Sequence, residues 1–418
     1  MTDGSARLVR PWFFGASVVV FALLLPILAW SIWDSIELRR LDAAMAAIAR
    51  AGQPIRLEQR TDLAGASADA DRDYRAAAVL SSGRSAKQMT AAFASALAAA
   101  ERDDRWPPEL VAELSSWVDA YEEPASFADR AAELPFEGFS GGARYPYLTA
   151  NLVALLRVLG FRATIRALSG DTLGALQALY SEARLSRPLE NNFAAARLAA
   201  DVRTVLSHVR PPPDSLARLA SAVAEMDQDD EITRELVQMR AAALERRAWN
   251  ANLITRPLTT YAMNRQLDDY AELIRASRRA WPDRIDALAT AGRSRTSLFG
   301  RKQPFGTGLF EAAADHLAVV RATRVVIAVE RYRRDHLEQL PSTLDDLLPA
   351  YLPAAPVDPF SGRAMRFLVD ERGYAAYSVG RNRQDDGGRD LGSWRGGATA
   401  WPRGSFGPDI GIRIERTR

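Results

Sequence analysis

Cysteine is absent from this 418-residue chain, and histidine occurs only as His208, His316 and His336. Without thiols there can be no disulfides, zinc fingers, iron–sulfur clusters or cysteine nucleophiles. Three scattered histidines leave histidine-rich metal catalysis without ligands, and none stands in an H-E-x-x-H arrangement. No Walker lysine motif occurs, nor a G-x-G-x-x-G following a strand, so a nucleotide partner is not expected. Charge of one sign is also missing. The 54 Lys and Arg against 52 Asp and Glu leave +2, which excludes a polybasic surface built to grip nucleic acid. A hydrophobic content of 48% with a slightly negative mean hydropathy fits a folded chain and not a multi-span membrane protein.

What is present begins with one uncharged run. Trp12 to Trp33 (WFFGASVVVFALLLPILAWSIW) contains no ionisable side chain. As a helix it would extend about 33 Å, enough for a hydrocarbon core of roughly 30 Å. Trp12 at one end and Trp30 and Trp33 at the other suit the two membrane interfaces. A cleaved signal peptide would carry a shorter apolar region and a small-x-small site. Here the run passes directly into Ser-Ile-Trp-Asp-Ser-Ile-Glu, so 12–33 is read as an uncleaved transmembrane anchor after a short tail, 1–11. Arg7 and Arg10 on one side balance Arg39 and Arg40 on the other, so the positive-inside count is tied. The short tail favours an N-in topology, in the inner (cytoplasmic) membrane, with the body 34–418 exported to the periplasm.

Residues 34–291 read as one helical domain. The stretch 36–50 continues the anchor as an amphipathic stalk, ended by Gly52-Gln53-Pro54. Alanine-rich helices follow over 86–134, broken at Trp106-Pro107-Pro108 and Glu123-Pro124. Leu148, Leu152, Leu155, Leu156 and Leu159 recur at helical spacing, as do Leu173, Leu176, Leu179 and Tyr180, with Asp171 as the N-cap between the two sets. Further helices are expected near 190–209, 214–226 and 229–249. This succession of hairpin-capable helices resembles tetratricopeptide-like hairpins, though its period is not the 34 residues of that repeat. An irregular helical bundle fits the same pattern. Residues 292–308, basic and glycine-containing, read as a connector.

From Leu309 a long helix is expected, ending near His336. Ser342 or Thr343 then caps a short helix, and strands 364–369 and 373–379 form a hairpin across Asp370-Glu371-Arg372-Gly373. A last alternating strand covers 410–414. The run AVERYRRDHLEQLPSTLDDLLPAYLPAAPVDPFSGRAMRF, then GYAAYSVGRNRQDDGG and Pro408-Asp409-Ile410, resembles the globular domain of the major pseudopilin of type II secretion. That family runs from a long helix into a YxxDxxxxPxxLxxLxPxYL segment, a DPFxG turn, and a strand ending in Tyr-Ser-x-Gly before an Asp- and Gly-rich loop. The resemblance covers about 100 of the 418 residues. It implies a small α+β domain over 309–418, a long helix plus an antiparallel sheet. It also implies calcium in the loop after Tyr-Ser-x-Gly, held at the matching positions Asp385, Asp386 and Asp409, with Asp390 in the same loop. Hard Ca²⁺ takes six to eight oxygens, which such a loop can turn inward. Two departures separate the chain from a processed filament subunit. Gly15-Ala16-Ser17-Val18-Val19-Val20 lacks the family's glutamate, and the head follows the anchor by roughly 280 residues.

Other motifs carry less. Gly138-Phe139-Ser140-Gly141-Gly142 fits G-x-S-x-G, and Ser140 would be the nucleophile of a membrane-anchored serine hydrolase. No strand precedes it and no α/β alternation surrounds it. Asp69, Asp71 and Asp73 imitate the start of an EF-hand loop but meet Tyr74 and Leu80 where Gly and Glu are needed. The expectation is therefore a mainly α, single-pass membrane protein without enzymatic activity, working through an unidentified protein partner.

Overall fold

The structure, a computed structural model, describes residues 11–56, 67–82, 91–136, 146–189, 192–247, 255–291, 307–388, 391 and 409–415. The chain is mostly helical, at 70%, with thirteen α-helices and one three-stranded antiparallel sheet among the described residues. In order these are α1 (Pro11–Arg50), α2 (Ala68–Ser82), α3 (Ala91–Asp103), α4 (Pro108–Asp119), α5 (Glu122–Ala132), α6 (Pro146–Leu168) and α7 (Thr172–Leu189). Then come α8 (Asn192–His208), α9 (Pro213–Ala224), α10 (Glu231–Arg247), α11 (Arg256–Ser277), α12 (Asp283–Ala291) and α13 (Thr307–Asp335). The strands are β1 (Arg366–Asp370), β2 (Gly373–Ser378) and β3 (Ile410–Glu415). Contacts divide the chain into two compact units, Met1–Arg60 with Thr233–Arg275, and Thr61–Ile232 with Ala276–Arg418.

The first unit is built on α1, which is long and apolar enough to cross a membrane. It runs unbroken through Pro26 to Arg50. From Val19 to Ile32 its large apolar side chains are 38–68% exposed. At Asp34 the character changes. Asp34, Glu37 and Leu41 are buried, and each meets α10 or α11. Arg256 Nε donates to both Asp34 oxygens at 3.2 and 3.0 Å, and Asn264 Nδ2 donates to Glu37 Oε2 at 2.7 Å. Leu41 packs with Leu244, Met263 and Leu267. The stretch expected as an amphipathic stalk does continue α1, and its buried face forms one wall of a small helical core.

In the second unit, sequence breaks become helix ends. Asp171 Oδ1 accepts from Gly174 N–H at 2.9 Å, so it caps α7 as its position implies. Glu123-Pro124 is not a break. Pro124 sits in the first turn of α5, where its missing N–H has no intrahelical partner to lose, and the chain turns earlier, at Ala120-Tyr121. The short element after Thr343 is a single 3-10 turn, Leu344–Leu347, with Asp346 accepting from the Ser342 and Thr343 N–H groups at 2.8 Å.

The main core of this unit gathers apolar faces from α7, α8, α9 and α13 together with the sheet. Sheet order is β1-β2-β3, all antiparallel, with Ala376 of β2 opposite Phe367 of β1 and Ile412 of β3. All six residues of β2 are buried, which fits a central strand backed by α13. Arg321 of α13 donates to Asp227 and Asp229 in the α9–α10 connection and to the Val357 carbonyl, at 2.9, 3.0 and 2.7 Å. Arg324 adds a contact to Asp227. A second core packs α2 and α5 against α6 through Tyr74, Ala125 and Leu152, and a third packs α3 and α4 on Phe161.

Candidate functional site

Two segments of the pseudopilin resemblance, Asp-Pro-Phe-Ser-Gly and Tyr-Ser-Val-Gly, meet at one buried carboxylate. Asp358, fully buried, accepts four hydrogen bonds: from Phe360 N–H at 2.9 Å, Ser361 Oγ at 2.8 Å, Ser378 Oγ at 2.6 Å and Val379 N–H at 3.2 Å. The first two close the Asp-Pro-Phe-Ser-Gly turn, and the last two bind the Tyr-Ser-Val-Gly end of β2. Gly362 completes the turn at φ +70°, with its N–H on the Asp358 carbonyl at 2.9 Å. Two distant motifs are therefore halves of one hub. A third contact ties in the helix. Tyr351 donates its hydroxyl to Asp335 at 2.7 Å, so the end of α13 is bound to the Tyr-Leu that closes the next segment. Deeper along α13, buried Glu330 accepts from Tyr374 at 2.6 Å and from Arg333 at 2.9 and 2.8 Å.

The loop after β2 holds Asp385 and Asp386 and faces Asp409 at the start of β3. Asp409 is buried and accepts from the N–H groups of Gly388 at 2.8 Å and Asp386 at 3.4 Å. Burial raises its pKa, and the neighbouring Asp386 and Asp385 carboxylates add to that, against the two backbone donors. Asp385 accepts from Tyr377 Oη at 3.0 Å and pairs with Arg366 at 3.1 Å. Burial and then Asp385 push the Tyr377 phenol up to about 12. Asp386 accepts from Asn382 at 2.8 Å. Gly388, at φ +65°, leaves room for the Tyr377 ring, which a Cβ there would approach to 3.0 Å.

Three of the four expected calcium positions thus meet, while Asp390 lies outside the described residues. As arranged, the three carboxylates face N–H, hydroxyl and guanidinium donors, and an ion would have to displace Arg366 and two backbone groups. Among the described residues no group of three His, Asp or Glu could hold a metal.

Ser140 lies outside the described residues. Asp69, Asp71 and Asp73 are helical residues of α2, paired with Arg72, Arg75 and Arg130. His336 stacks on Tyr332 at 3.8 Å, and His208 Nδ1 meets the Thr204 carbonyl. His316 is fully buried, and burial lowers it to about 4, against a hydrogen bond with the Met226 backbone and the charge of Asp227.

A polar cluster that sequence reasoning missed lies where α3, α6, α7 and α8 meet. Arg197 of α8 grips Asp201 of the same helix with two bonds, 2.6 and 2.7 Å, and Glu101 of α3 with a third, 2.5 Å. Glu182 of α7 lies beside Asp201, completely buried. The signal was present. Leu176, Leu179 and Glu182 fall on one face of α7, and Leu198, Asp201 and Val205 on one face of α8, so each acid occupies a place that helical period reserves for an apolar residue.

No family model, curated protein or solved structure matches the chain.

Proposed function

We propose that the protein is a membrane-anchored, non-enzymatic interaction protein whose pseudopilin-like head serves a type II secretion or pilus-type assembly. The observation that carries the membrane part is α1. Ten large apolar side chains between Val19 and Ile32 are 38–68% exposed. At about 1.5–3 kcal/mol for a fully buried side chain, leaving that exposed half in water forgoes roughly 8–15 kcal/mol, comparable to the 5–15 kcal/mol net stability of a typical domain. A bilayer supplies the missing cover. Helix continuity supports an anchor over a cleaved signal, because α1 passes without a break into the residues that pair with Arg256 and Asn264. The reading places α1 in the inner membrane with the body in the periplasm.

The head reading is supported by the contacts among its motif residues: Asp358 to Ser378 and Val379, and Tyr351 to Asp335. In this reading the Asp- and Gly-rich loop is closed by Arg366, Tyr377 and backbone N–H groups in the place where the resemblance implies calcium. The test is crosslinking in native membranes followed by capture of the full chain. Recovery of secretion or pilus-assembly components is expected; adducts to none of them would overturn the assembly role.

A further inference from the structure

We propose that Glu182 and Asp201 share a single proton, making the α7–α8 contact a proton-operated latch. Four observations carry this. Glu182 is 0% exposed, and among the described residues no hydrogen-bond donor reaches either of its carboxylate oxygens. A buried, ionised carboxylate without donors is far too costly to persist, so the group resolves the conflict by holding a proton. The group beside it is the Asp201 carboxylate, an acceptor, whose two oxygens are held by Arg197 at 2.6 and 2.7 Å. A protonated Glu182 has a partner for its O–H there; an ionised one has only repulsion.

Hydrogen bonding gives the same answer. Around Glu101, Asp201 and Glu182 stand Arg197, with Arg157 beside Glu101 and Arg203 on the Glu101 carbonyl. Arg197 spends its donors on Asp201 at 2.6 and 2.7 Å and on Glu101 at 2.5 Å, which leaves none for Glu182, the neutral member. The neighbouring elements spend their charges elsewhere: Asp129 of α5 on Arg162 and Ser181, Arg218 of α9 on Glu133, and Arg321 and Arg324 of α13 on Asp227. On α13, Asp315 meets Arg381 and Glu330 meets Arg333.

The fold also makes room for this pair. Gly160 of α6 lies against the Asp201 carboxylate, and a Cβ there would stand 2.7 Å from its Cγ, closer than real Cβ contacts. The close helix approach and the buried acid exist together because residue 160 is glycine.

The sign of the coupling follows. Burial raises the folded-state pKa of Glu182 well above its ordinary 4.5, with Asp201 adding to the rise and Arg197 opposing it. Stability from this group is fully present below 4.5 and is lost as pH rises through the folded value. Across that window the folding constant falls tenfold per pH unit, and folding takes up one proton. Removing the proton puts two adjacent carboxylates in one buried contact, which opens the latch.

The test uses the full chain in detergent micelles. Infrared spectra at pH 7 are expected to show a protonated-carboxyl C=O band that Glu182→Gln removes, Gln being a neutral donor of the same shape. Proton release on unfolding, read with an indicator dye, is expected to be one proton greater for wild type than for this variant. Should that variant not fold, Glu182→Met, neutral and of similar length, takes its place in both measurements. Absence of the band, or equal proton release by the two chains, would overturn the proposal.

Discussion

Replacing Asp358 by alanine tests the hub on which the head is organised. Four donors lose their common acceptor, and three of them, on Phe360, Ser378 and Val379, belong to buried residues. Ser361 is half-buried and can turn to water. A buried donor left without a partner costs about 1–3 kcal/mol, so three of them imply about 3–6 kcal/mol after partial relaxation. That lies in the upper tail of single-substitution effects, where loss of a buried polar network belongs. Asp358→Asn keeps one acceptor oxygen but turns an NH2 group toward the remaining donors, so its loss should be comparable to or somewhat below that of alanine. Urea unfolding of the full chain, followed by tryptophan fluorescence, reads the effect; Trp281, one of the nine tryptophans, lies against Gly362 of the turn. A loss below about 1 kcal/mol for Asp358→Ala would refute the reasoning that the turn and β2 are joined through this carboxylate.

Gly160→Ala should drive its Cβ into Asp201 and break the buried Arg197 pair, costing about 3–5 kcal/mol by urea unfolding; a neutral effect contradicts the close approach. His316 gives a pH dependence of opposite sign to Glu182. Its folded pKa of about 4 lies below its ordinary 6.5, so its contribution is present above pH 6.5 and is lost as pH falls toward 4, at about 1.4 kcal/mol per pH unit. His316→Gln should flatten that slope, and an unchanged slope counts against the buried neutral imidazole. Thermal melting of the full chain in calcium and in chelator should coincide, because the carboxylates of Asp385, Asp386 and Asp409 are held by protein donors; a clear upward shift with calcium contradicts that account of the loop.

The parts of the fold legible in the sequence are those fixed by local chemistry. The uncharged run marks α1, Asp171 caps α7 at the expected position, and the alternation in 364–379 and 410–414 appears as β1, β2 and β3. Pro124 misled because proline breaks a helix only past its first turn, and the sequence alone does not say which turn it occupies. The stalk reading of 36–50 stopped at the pattern on one helix, whereas the burial of Glu37 and Leu41 depends on Asn264 and Met263, more than 200 residues later. The same limit hid the acid pair. Glu182 and Asp201 are nineteen residues apart, and each alone looks like one more charge on an amphipathic helix. Their meaning lies in the α7–α8 approach, a tertiary fact. Asp358 was the intermediate case: its motif was visible, but the partner that explains it, Ser378, came from a different motif in the same string.

The account rests most heavily on α1 remaining attached and lying in the bilayer. Membranes washed at alkaline pH and then analysed by intact mass test this directly. The account predicts that the chain stays in the membrane fraction at close to its full 45.9 kDa, with residues 12–33 protected from proteolysis. A chain released by the wash, or a mature protein that begins beyond Trp33, would contradict it.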